Sequence, residues 1–323
     1  MNGQLQKGWG LLKQTFTEWN EDKVPRLGAA LAFYTALSIA PLLVLSLRVA
    51  AVFFGDEAAR GEIERQMQSV MGEQGAEAVQ AMLKSANQPE AGTIATVLGL
   101  LTLLLGASGV FGQLQDSLNT IWEVRPKAGR GIWGFLRDRF LSMTMVMGVA
   151  FLLLVSLLVS ATLSFTGAYA FHGLRDFAFV SHAANLLISF AVFAGLFAMM
   201  FKYLPDVKIA WNDVWLGATM TAFLFTVGKF AIGMYLGRSS FASSYGVAGS
   251  LIVLLVWVYY SAQIVFFGAE FTQVYANRYG KKIEPSENAE PVTDEKRAQE
   301  GMPADESQPD RAPRMSAVKV STR

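Results

Sequence analysis

Long apolar stretches alternate with short polar ones along most of the chain, and this pattern predicts membrane-spanning helices. A helix needs roughly 20 predominantly apolar residues to cross the hydrocarbon core of a bilayer. Six stretches meet this requirement: 28–54, 93–112, 140–165, 182–203, 213–237 and 246–272. We therefore predict an all-α fold, in which residues 27–280 form a polytopic bundle of six transmembrane helices.

Three other segments have patterns of their own. Residues 1–26 have apolar side chains every three or four positions, which predicts an amphipathic helix: Leu5, Trp9, Leu12, Phe16 and Trp19. This helix lies either on the inner leaflet or against the cytoplasmic ends of the bundle. Residues 56–90 are predicted to form a helical cap on the outer face. Residues 281–323 are rich in Glu, Asp, Pro, Ser and Lys, which predicts a disordered cytoplasmic tail.

Composition supports a membrane protein and excludes several kinds of site. Charged residues make up 16% of the chain, whereas a soluble domain usually carries about 25%. The net charge of +1 gives no basic field for nucleic acid. The chain has no cysteine, so disulfides, Cys-ligated zinc and iron–sulfur clusters are excluded. We expect no nucleic-acid partner, no metal and no cofactor.

Lysine and arginine concentrate in alternate loops, which indicates how the chain is oriented in the membrane. The positively charged segments contain Lys7, Lys13, Lys23, Arg26, Arg125, Lys127, Arg130, Arg137, Arg139, Lys202, Lys208, Arg278, Lys281 and Lys282. The loops between them are poorer in positive charge. Because cytoplasmic loops carry the excess, both termini are predicted to be cytoplasmic.

Ionisable side chains inside predicted spans are candidates for function, because charge is costly in a bilayer. Lys229 lies about 24 Å along the fifth span from Asp213, whereas Glu270 lies near the inner end of the sixth. The two differ in depth by roughly 20 Å, which excludes a direct pair between straight helices. Lys229 therefore either snorkels to the outer interface or meets a cavity or an anionic ligand. Tyr260 and Gln263 share a helix face with Glu270, so we predict that these side chains bind substrate.

The first span contains a second set of candidates. Tyr34, Ser38 and Pro41 share one face of the helix, and the proline removes a backbone hydrogen bond in mid-span. A kink at Pro41 is predicted to serve packing or gating. Tyr34 and Ser38 are predicted to line the substrate site.

The end of the second span combines small and polar residues. One stripe carries glycines that permit close helix approach and then continues in polar side chains: Gly99, Gly106, Gly109, Gln113 and Asp116. Asn119 lies in the same polar stretch. This surface is either packing followed by a solvated extension, or a polar vestibule that binds a head group or solute. Gly246 and Gly249, at the start of the last span, are also predicted to serve packing or gating.

Enzymatic activity is not expected. Metal-dependent RNA hydrolysis needs clustered His and Asp ligands, but both histidines, His172 and His182, lie near the predicted outer surface. The sequence contains no phosphate-binding loop and no Ser/His/Asp-like set.

Four stretches of the chain resemble the YihY/BrkB family of bacterial inner-membrane proteins: ALAFYTALSIAPLL, GASGVFGQLQDSLNTIWEVRP, GATMTAFLFTVGKFAIGMYL and SSYGVAGSLIVLLVWVYYSAQIVFFGAEFTQVYA. The resemblance covers about residues 5–280. It implies six spans in the cytoplasmic membrane and a link to envelope lipid traffic. The family's former label as ribonuclease BN is regarded as mistaken. The matching stretches contain Tyr34, Ser38, Pro41, Gly109, Asn119, Trp122, Lys229, Tyr245, Gly246, Gly249 and Glu270.

Two functions from different classes remain open. Transport or translocation of an amphiphilic or anionic envelope component is favoured by Lys229, by the kinked first span and by the polar vestibule. A non-transporting envelope assembly or scaffold protein is the alternative, since the outer cap and the N-terminal helix offer docking surfaces. Membrane lipids are the expected partners, together with an envelope-biogenesis partner or a second copy of the chain.

Overall fold

A computed structural model describes residues 2–38, 109–127, 175–238, 249–280, 283–299 and 301–303, together with single positions between residues 55 and 80. The helices in these ranges are α1 (Asn2–Glu21), α2 (24–38), α3 (109–121), α4 (Arg175–Tyr203), α5 (Trp211–Arg238), α6 (Gly249–Tyr279) and α7 (Asp294–Gln299). The strands are β1 (Val124–Pro126), β2 (Val207–Lys208), β3 (Glu284–Pro285) and β4 (Ala289–Pro291).

Three of these helices are long and apolar enough to cross a membrane: Leu186–Tyr203, Trp211–Leu236 and Leu251–Tyr279. They confirm the predicted spans 182–203, 213–237 and 246–272. Of the spans predicted at 28–54 and 93–112, only residues 28–38 and 109–112 are described, and they are helical. The span predicted at 140–165 and most of the cap at 56–90 lie outside the described residues. The described chain is therefore that of a helical membrane protein, and the number of six spans stays a prediction.

The centre of the described bundle is aromatic, and α5 packs against both α4 and α6. The ring centroid of Phe225 lies 5.1 Å from that of Phe193 and 5.6 Å from that of Phe197. On its other side it meets Trp257 of α6 at 6.4 Å, nearly edge to face. Tilted and edge-to-face rings are favourable at these separations. Phe225 thus joins the three helices.

The contact between α5 and α6 is made close by two glycines, each facing a threonine of the other helix. Gly217 of α5 faces Thr272, and Gly268 of α6 faces Thr221, so closely that a Cβ on either glycine would overlap the threonine side chain. Each threonine hydroxyl donates to the glycine carbonyl of its own helix, at 2.7 Å for Thr221 and 2.6 Å for Thr272. Both hydroxyls are therefore satisfied, and the helices approach as small residues allow.

Helix α1 packs against α6 and keeps a second face exposed. Leu11 and Thr15 are buried, and Leu11 clusters with Phe271 of α6. Trp9 and Phe16 remain 73% and 56% exposed. The helix therefore packs on the bundle, and its aromatic stripe remains open on the other side.

The C-terminal segment folds back across one end of the bundle. β3 pairs antiparallel with β2, and β4 pairs antiparallel with β1. The amide of Val292 donates to the carbonyl of Glu123 at 2.9 Å, and the amide of Ser286 donates to that of Asp206 at 2.8 Å. We call this end the tail face; it comprises residues 18–24, 119–127, 203–213, 270–280, 283–299 and 301–303.

This ordered segment departs from the predicted disorder of residues 281–323. Polar composition indicated disorder, but residues 283–291 complete two small sheets with loops that follow α3 and α4. Helix α7 ends at Gln299, and Gly301 follows it with a φ of 72°, which suits glycine. The amides of Gly301 and Met302 donate to Ala298 and Arg297 carbonyls, which is a Schellman ending. Residues 304–323 lie outside the described residues.

Candidate functional site

A buried cluster of charges lies on the tail face, and Arg297 of α7 is at its centre. The Arg297 Nη2 donates to Asp22 Oδ1 at 3.0 Å, and its Nη1 donates to Glu123 Oε1 at 2.8 Å. Its Nε donates to the Pro303 carbonyl at 2.9 Å. The three charged side chains are only 3% to 4% exposed. We call Asp22, Glu123 and Arg297 the tail-face cluster.

The backbone turns that follow α1 and α3 place the two carboxylates of the cluster. Lys23 and Glu123 both adopt positive φ, 53° and 55°, a conformation that is uncommon for residues other than glycine. Asp22 precedes the first of these turns, and Glu123 forms the second. Arg297, one helical turn into α7, lies within reach of both. The cluster therefore joins three segments that are far apart in sequence.

Burial raises the pKa of Asp22 from 3.8 to about 7. The charge of Arg297 and its hydrogen bond oppose this rise, whereas Glu18 and Glu21 add to it. The ion pair with Arg297 does not fully compensate for the loss of water around the carboxylate, as is common for buried pairs. Asp22 therefore changes protonation close to neutral pH.

Glu270 lies beside this cluster, inside α6. Its side chain is fully buried, and neither carboxyl oxygen has a hydrogen-bond partner among the described residues. The charged groups that act on it electrostatically are Asp22, Glu18, Glu123 and Arg297. Buried carboxyl groups normally have hydrogen-bond partners, so Glu270 is an exception that needs an explanation.

The polar face of α6 continues from Glu270 to Gln263 and Tyr260. Gln263 packs against Gly28 of α2, and neither polar atom of its amide has a hydrogen-bond partner among the described residues. The hydroxyl of Tyr260 lies beside Gly228 of α5. Among the described residues, Gln263 therefore faces α2 and Tyr260 faces α5.

Asn119 at the end of α3 fixes the loop between α4 and α5. Its Nδ2 donates to Asp206 Oδ2 at 3.1 Å, and its Oδ1 accepts from the Asp206 amide at 2.8 Å. Gln113 donates to Ser117 Oγ within α3 at 3.2 Å. Among the predicted vestibule residues, Asn119 thus holds two segments together.

Asp116 lines a cavity of about 200 Å³ that adjoins the tail-face cluster. Glu123 and Arg297 form part of its wall, and Thr120 and Lys296 line it as well. Asp116 and Lys296 are exposed. The cavity therefore extends from the buried cluster to exposed side chains at the surface of the tail face.

Lys229 lies in different surroundings, on the side of α5 that faces α4. Its Nζ is 5.6 Å from the ring centroid of Phe193 and 5.4 Å from that of Phe230. The side chain is half-buried. Among the described residues no carboxylate forms an ion pair with it. Lys229 and Glu270 are therefore separate, as their difference in depth predicts.

The candidates of the first span are described in part. Ser38 Oγ donates to the Tyr34 carbonyl at 2.7 Å, and the Tyr34 ring packs directly on Gly109 of α3. Gly249 is buried as the first residue of α6. Pro41, Gly99, Gly106 and Gly246 lie outside the described residues.

Sequence reasoning missed Arg297, Asp22 and Glu123. One signal was present: the stretch TDEKRAQEGMP at 293–303 has a threonine before an acidic first turn and Gly-x-Pro after the helix. The contacts of Arg297 with Asp22 and Glu123 join distant parts of the chain, and no pattern in the sequence indicates them. In the part of the chain that the structure describes, no three Asp, Glu or His side chains are placed to hold a metal ion.

Comparison with known proteins identifies relatives of the chain. A UPF0761 membrane protein of Tolumonas auensis is 28% identical over 259 residues, which cover 78% of this chain and 80% of that protein. A UPF0761 membrane protein of Vibrio vulnificus is 25% identical over 281 residues, 85% of each chain. Another, from Alkalilimnicola ehrlichii, is 26% identical over 77% of this chain, which spans only 54% of its length. No solved structure matches the chain.

A family model described as "Virulence factor BrkB" matches residues 15–293. This range includes all three candidate spans and both sheets of the tail face. The chain therefore belongs to the YihY/BrkB family of integral membrane proteins.

Proposed function

We propose that the protein transports or translocates an amphiphilic or anionic, lipid-like component of the cell envelope. The proposed location is the inner membrane, with both termini and the tail face in the cytoplasm. Lys229 is the observation that carries this proposal. It is a cation on a membrane-spanning helix, about 27 Å along α5 from Trp211.

The two ring contacts of Lys229 offset only part of the cost of its charge. A cation over an aromatic ring gains about 0.5–1 kcal/mol at exposed sites. A lysine costs about 2.5–3.5 kcal/mol at the centre of a spanning helix and less toward its ends, and Lys229 lies seven residues from the end of the span Trp211–Leu236. An anionic group beside Nζ would supply the remainder. Phe230 and Val227, next to Lys229 on α5, are 61% and 53% exposed. A cation beside an apolar exposed face fits a ligand with an anionic head and an apolar body.

A groove between α5 and α6 supports the same class of ligand. It has a volume of about 330 Å³ and is lined by Ala231, Ile232, Tyr235, Val256, Tyr259 and Tyr260. Its wall is apolar apart from tyrosine hydroxyl groups. An acyl chain fits such a groove, because its surface is apolar along its length.

Native mass spectrometry of the protein extracted with its own lipids tests the proposal. The wild type is compared with Lys229→Met, which keeps much of the side-chain volume, and with Lys229→Arg, which keeps the charge. We expect wild type and Lys229→Arg to retain an anionic lipid. Lys229→Met should retain at least about tenfold less of it, which corresponds to about 1.4 kcal/mol of binding free energy.

Lys208→Ala is the matched control, because the Lys208 side chain is exposed on the tail face. It is expected to retain the lipid as wild type does. Equal retention by wild type and Lys229→Met would contradict the proposal. That result would favour the alternative of a non-transporting envelope assembly or scaffold protein.

A further inference from the structure

Glu270 has surroundings that helix packing alone does not require. The side chain is 0% exposed, as are its core neighbours Phe266 and Ala269. An unpaired carboxylate in such a place costs several kcal/mol, and no hydrogen bond from the described residues reaches either oxygen. A bound proton removes this charge.

The groups that act on Glu270 belong to several elements around the tail end of α6. They come from α1, from the turn after it, from the turn after α3 and from α7: Glu18, Asp22, Glu123 and Arg297. Three of these groups are acidic and one is basic. Like charges nearby favour the neutral, protonated form of a carboxyl group.

Charged groups of α4 and α5 lie elsewhere. Asp213 of α5 packs against Gly280. Gly280 is ten residues beyond Glu270, or about 15 Å at 1.5 Å per residue. Lys202 of α4 donates to the Ile209 carbonyl and lies 5.6 Å from the centroid of Trp211. Among the described residues, the tail-face cluster and Glu18 are therefore the charged groups that act on Glu270.

We propose that Glu270 is a proton-binding site and that its proton exchanges with the solution at the tail face through the tail-face cluster. Glu123 and Arg297 connect the cluster to the 200 Å³ cavity, which Asp116 and Lys296 line at the surface. The protonation change of Asp22 near neutral pH suits it to the transfer. Among the described residues, no three Asp, Glu or His side chains are placed to hold a metal ion.

The proton site stands independently of lipid handling. Only its use as the coupling ion for transport rests on the proposed function. Lys229→Met should therefore leave proton binding at Glu270 unchanged, and a failure of the lipid proposal would not be read as a failure of this one.

Infrared difference spectroscopy of the full chain in phosphatidylcholine vesicles tests the site directly. The pH is stepped from about 5 to about 9, a range in which ordinary carboxyl groups are already ionised. Wild type should show a protonated-carboxyl C=O band that disappears as the pH rises. Asp22 also titrates near pH 7, so Glu270→Gln should lose one of two contributions to this band and keep that of Asp22, whereas Glu287→Gln, an exposed control, should retain both.

Two further variants keep the test decisive. Glu270→Asp retains a carboxyl group, so the band should shift in frequency and remain titratable. In Asp22→Asn the midpoint should fall by about one pH unit, a tenfold loss of proton affinity, because an acidic neighbour is lost. A spectrum that is identical in wild type and Glu270→Gln would overturn the proton site. An unchanged midpoint in Asp22→Asn would overturn the coupling of Glu270 to the cluster, and an unchanged rate of band loss after a pH jump would overturn the route through it.

Discussion

Lys229 and Glu270 are both ionisable side chains on membrane-spanning helices, yet their surroundings are opposite. Lys229 is half-buried, lies over aromatic rings and adjoins the exposed apolar face of α5. Glu270 is fully buried beneath the tail-face cluster. A group at the edge of the bundle is accessible to a ligand from the bilayer. A group enclosed by protein is accessible only to something as small as a proton.

The two sites also depend on different kinds of packing. Helices α5 and α6, which carry them, are held together by the reciprocal contacts of Gly217 with Thr272 and of Gly268 with Thr221. The tail face is held by the ion pairs of Arg297 and by two small sheets. A variant that disturbs only one of these regions therefore shows whether lipid retention at Lys229 and proton binding at Glu270 change independently.

The largest expected effect is that of Arg297→Met. It leaves Asp22 and Glu123 buried without their shared cation, and breaking a buried pair in this way costs about 3–5 kcal/mol. We expect a corresponding fall in the free energy of unfolding in detergent, and loss of hydrogen-exchange protection over residues 283–303. Lipid retention at Lys229 should persist, since Lys229 lies on α5, outside the tail face.

Arg125→Ala is the matched control for Arg297→Met. Arg125 pairs with Glu290 at 2.6 Å, but the two side chains are 31% and 38% exposed. Exposed pairs contribute about 0–1 kcal/mol. Equal destabilisation by Arg125→Ala and Arg297→Met would contradict the importance given to burial.

Gly217→Val should have the next largest effect, because the added side chain must displace Thr272. Overpacking of this kind costs about 1–3 kcal/mol. Since it separates α5 from α6, it should impair lipid retention and shift the Glu270 titration together. The free energy of unfolding is measured in detergent, and lipid retention and the Glu270 titration are measured on the same sample.

Gly233→Ala serves as its control, because a Cβ there would meet nothing within 4 Å. Alanine favours a helix over glycine by up to about 1 kcal/mol. The control should therefore be neutral or slightly stabilising, and a loss of stability equal to that of Gly217→Val would count against the glycine–threonine contact.

The free energy of unfolding should also depend on pH. The pKa of Asp22 is raised by burial from 3.8 to about 7, so between these values the folded protein holds a proton that the unfolded chain has released. The free energy of unfolding should therefore fall as the pH rises from about 4 to about 7. Asp22→Asn should flatten this slope in denaturant unfolding. If the slope in Asp22→Asn equals that of wild type, a group other than Asp22 causes the pH dependence.

Regular patterns made part of this structure predictable. Apolar length identified the three described spans, and helical spacing placed Tyr260, Gln263 and Glu270 on one face of α6. The separation of Lys229 from Glu270 followed from rise per residue alone. These features depend on positions close together in sequence.

The tail face depends on contacts that no local pattern reports. Arg297 and Asp22 are 275 positions apart in the sequence. The polar composition of the tail suggested disorder, because composition gives no sign of the strands elsewhere in the chain that pair with the tail. Asn119, predicted as a vestibule residue, lines the tail-face cavity, but its contact with Asp206 could not be read from any local pattern. The spacing Gly-x-x-x-Thr at 217–221 and at 268–272 was a readable signal that sequence reasoning did not use.

Transbilayer movement of a fluorescent, acyl-labelled phosphatidylglycerol in reconstituted vesicles is the most direct test of lipid translocation by this protein. We expect faster movement with wild type than in protein-free vesicles, and a rate at least about tenfold lower in Lys229→Met. An imposed pH gradient should accelerate movement in wild type but not in Glu270→Gln. Wild-type vesicles that move the lipid no faster than protein-free ones, with or without the gradient, would contradict the claim.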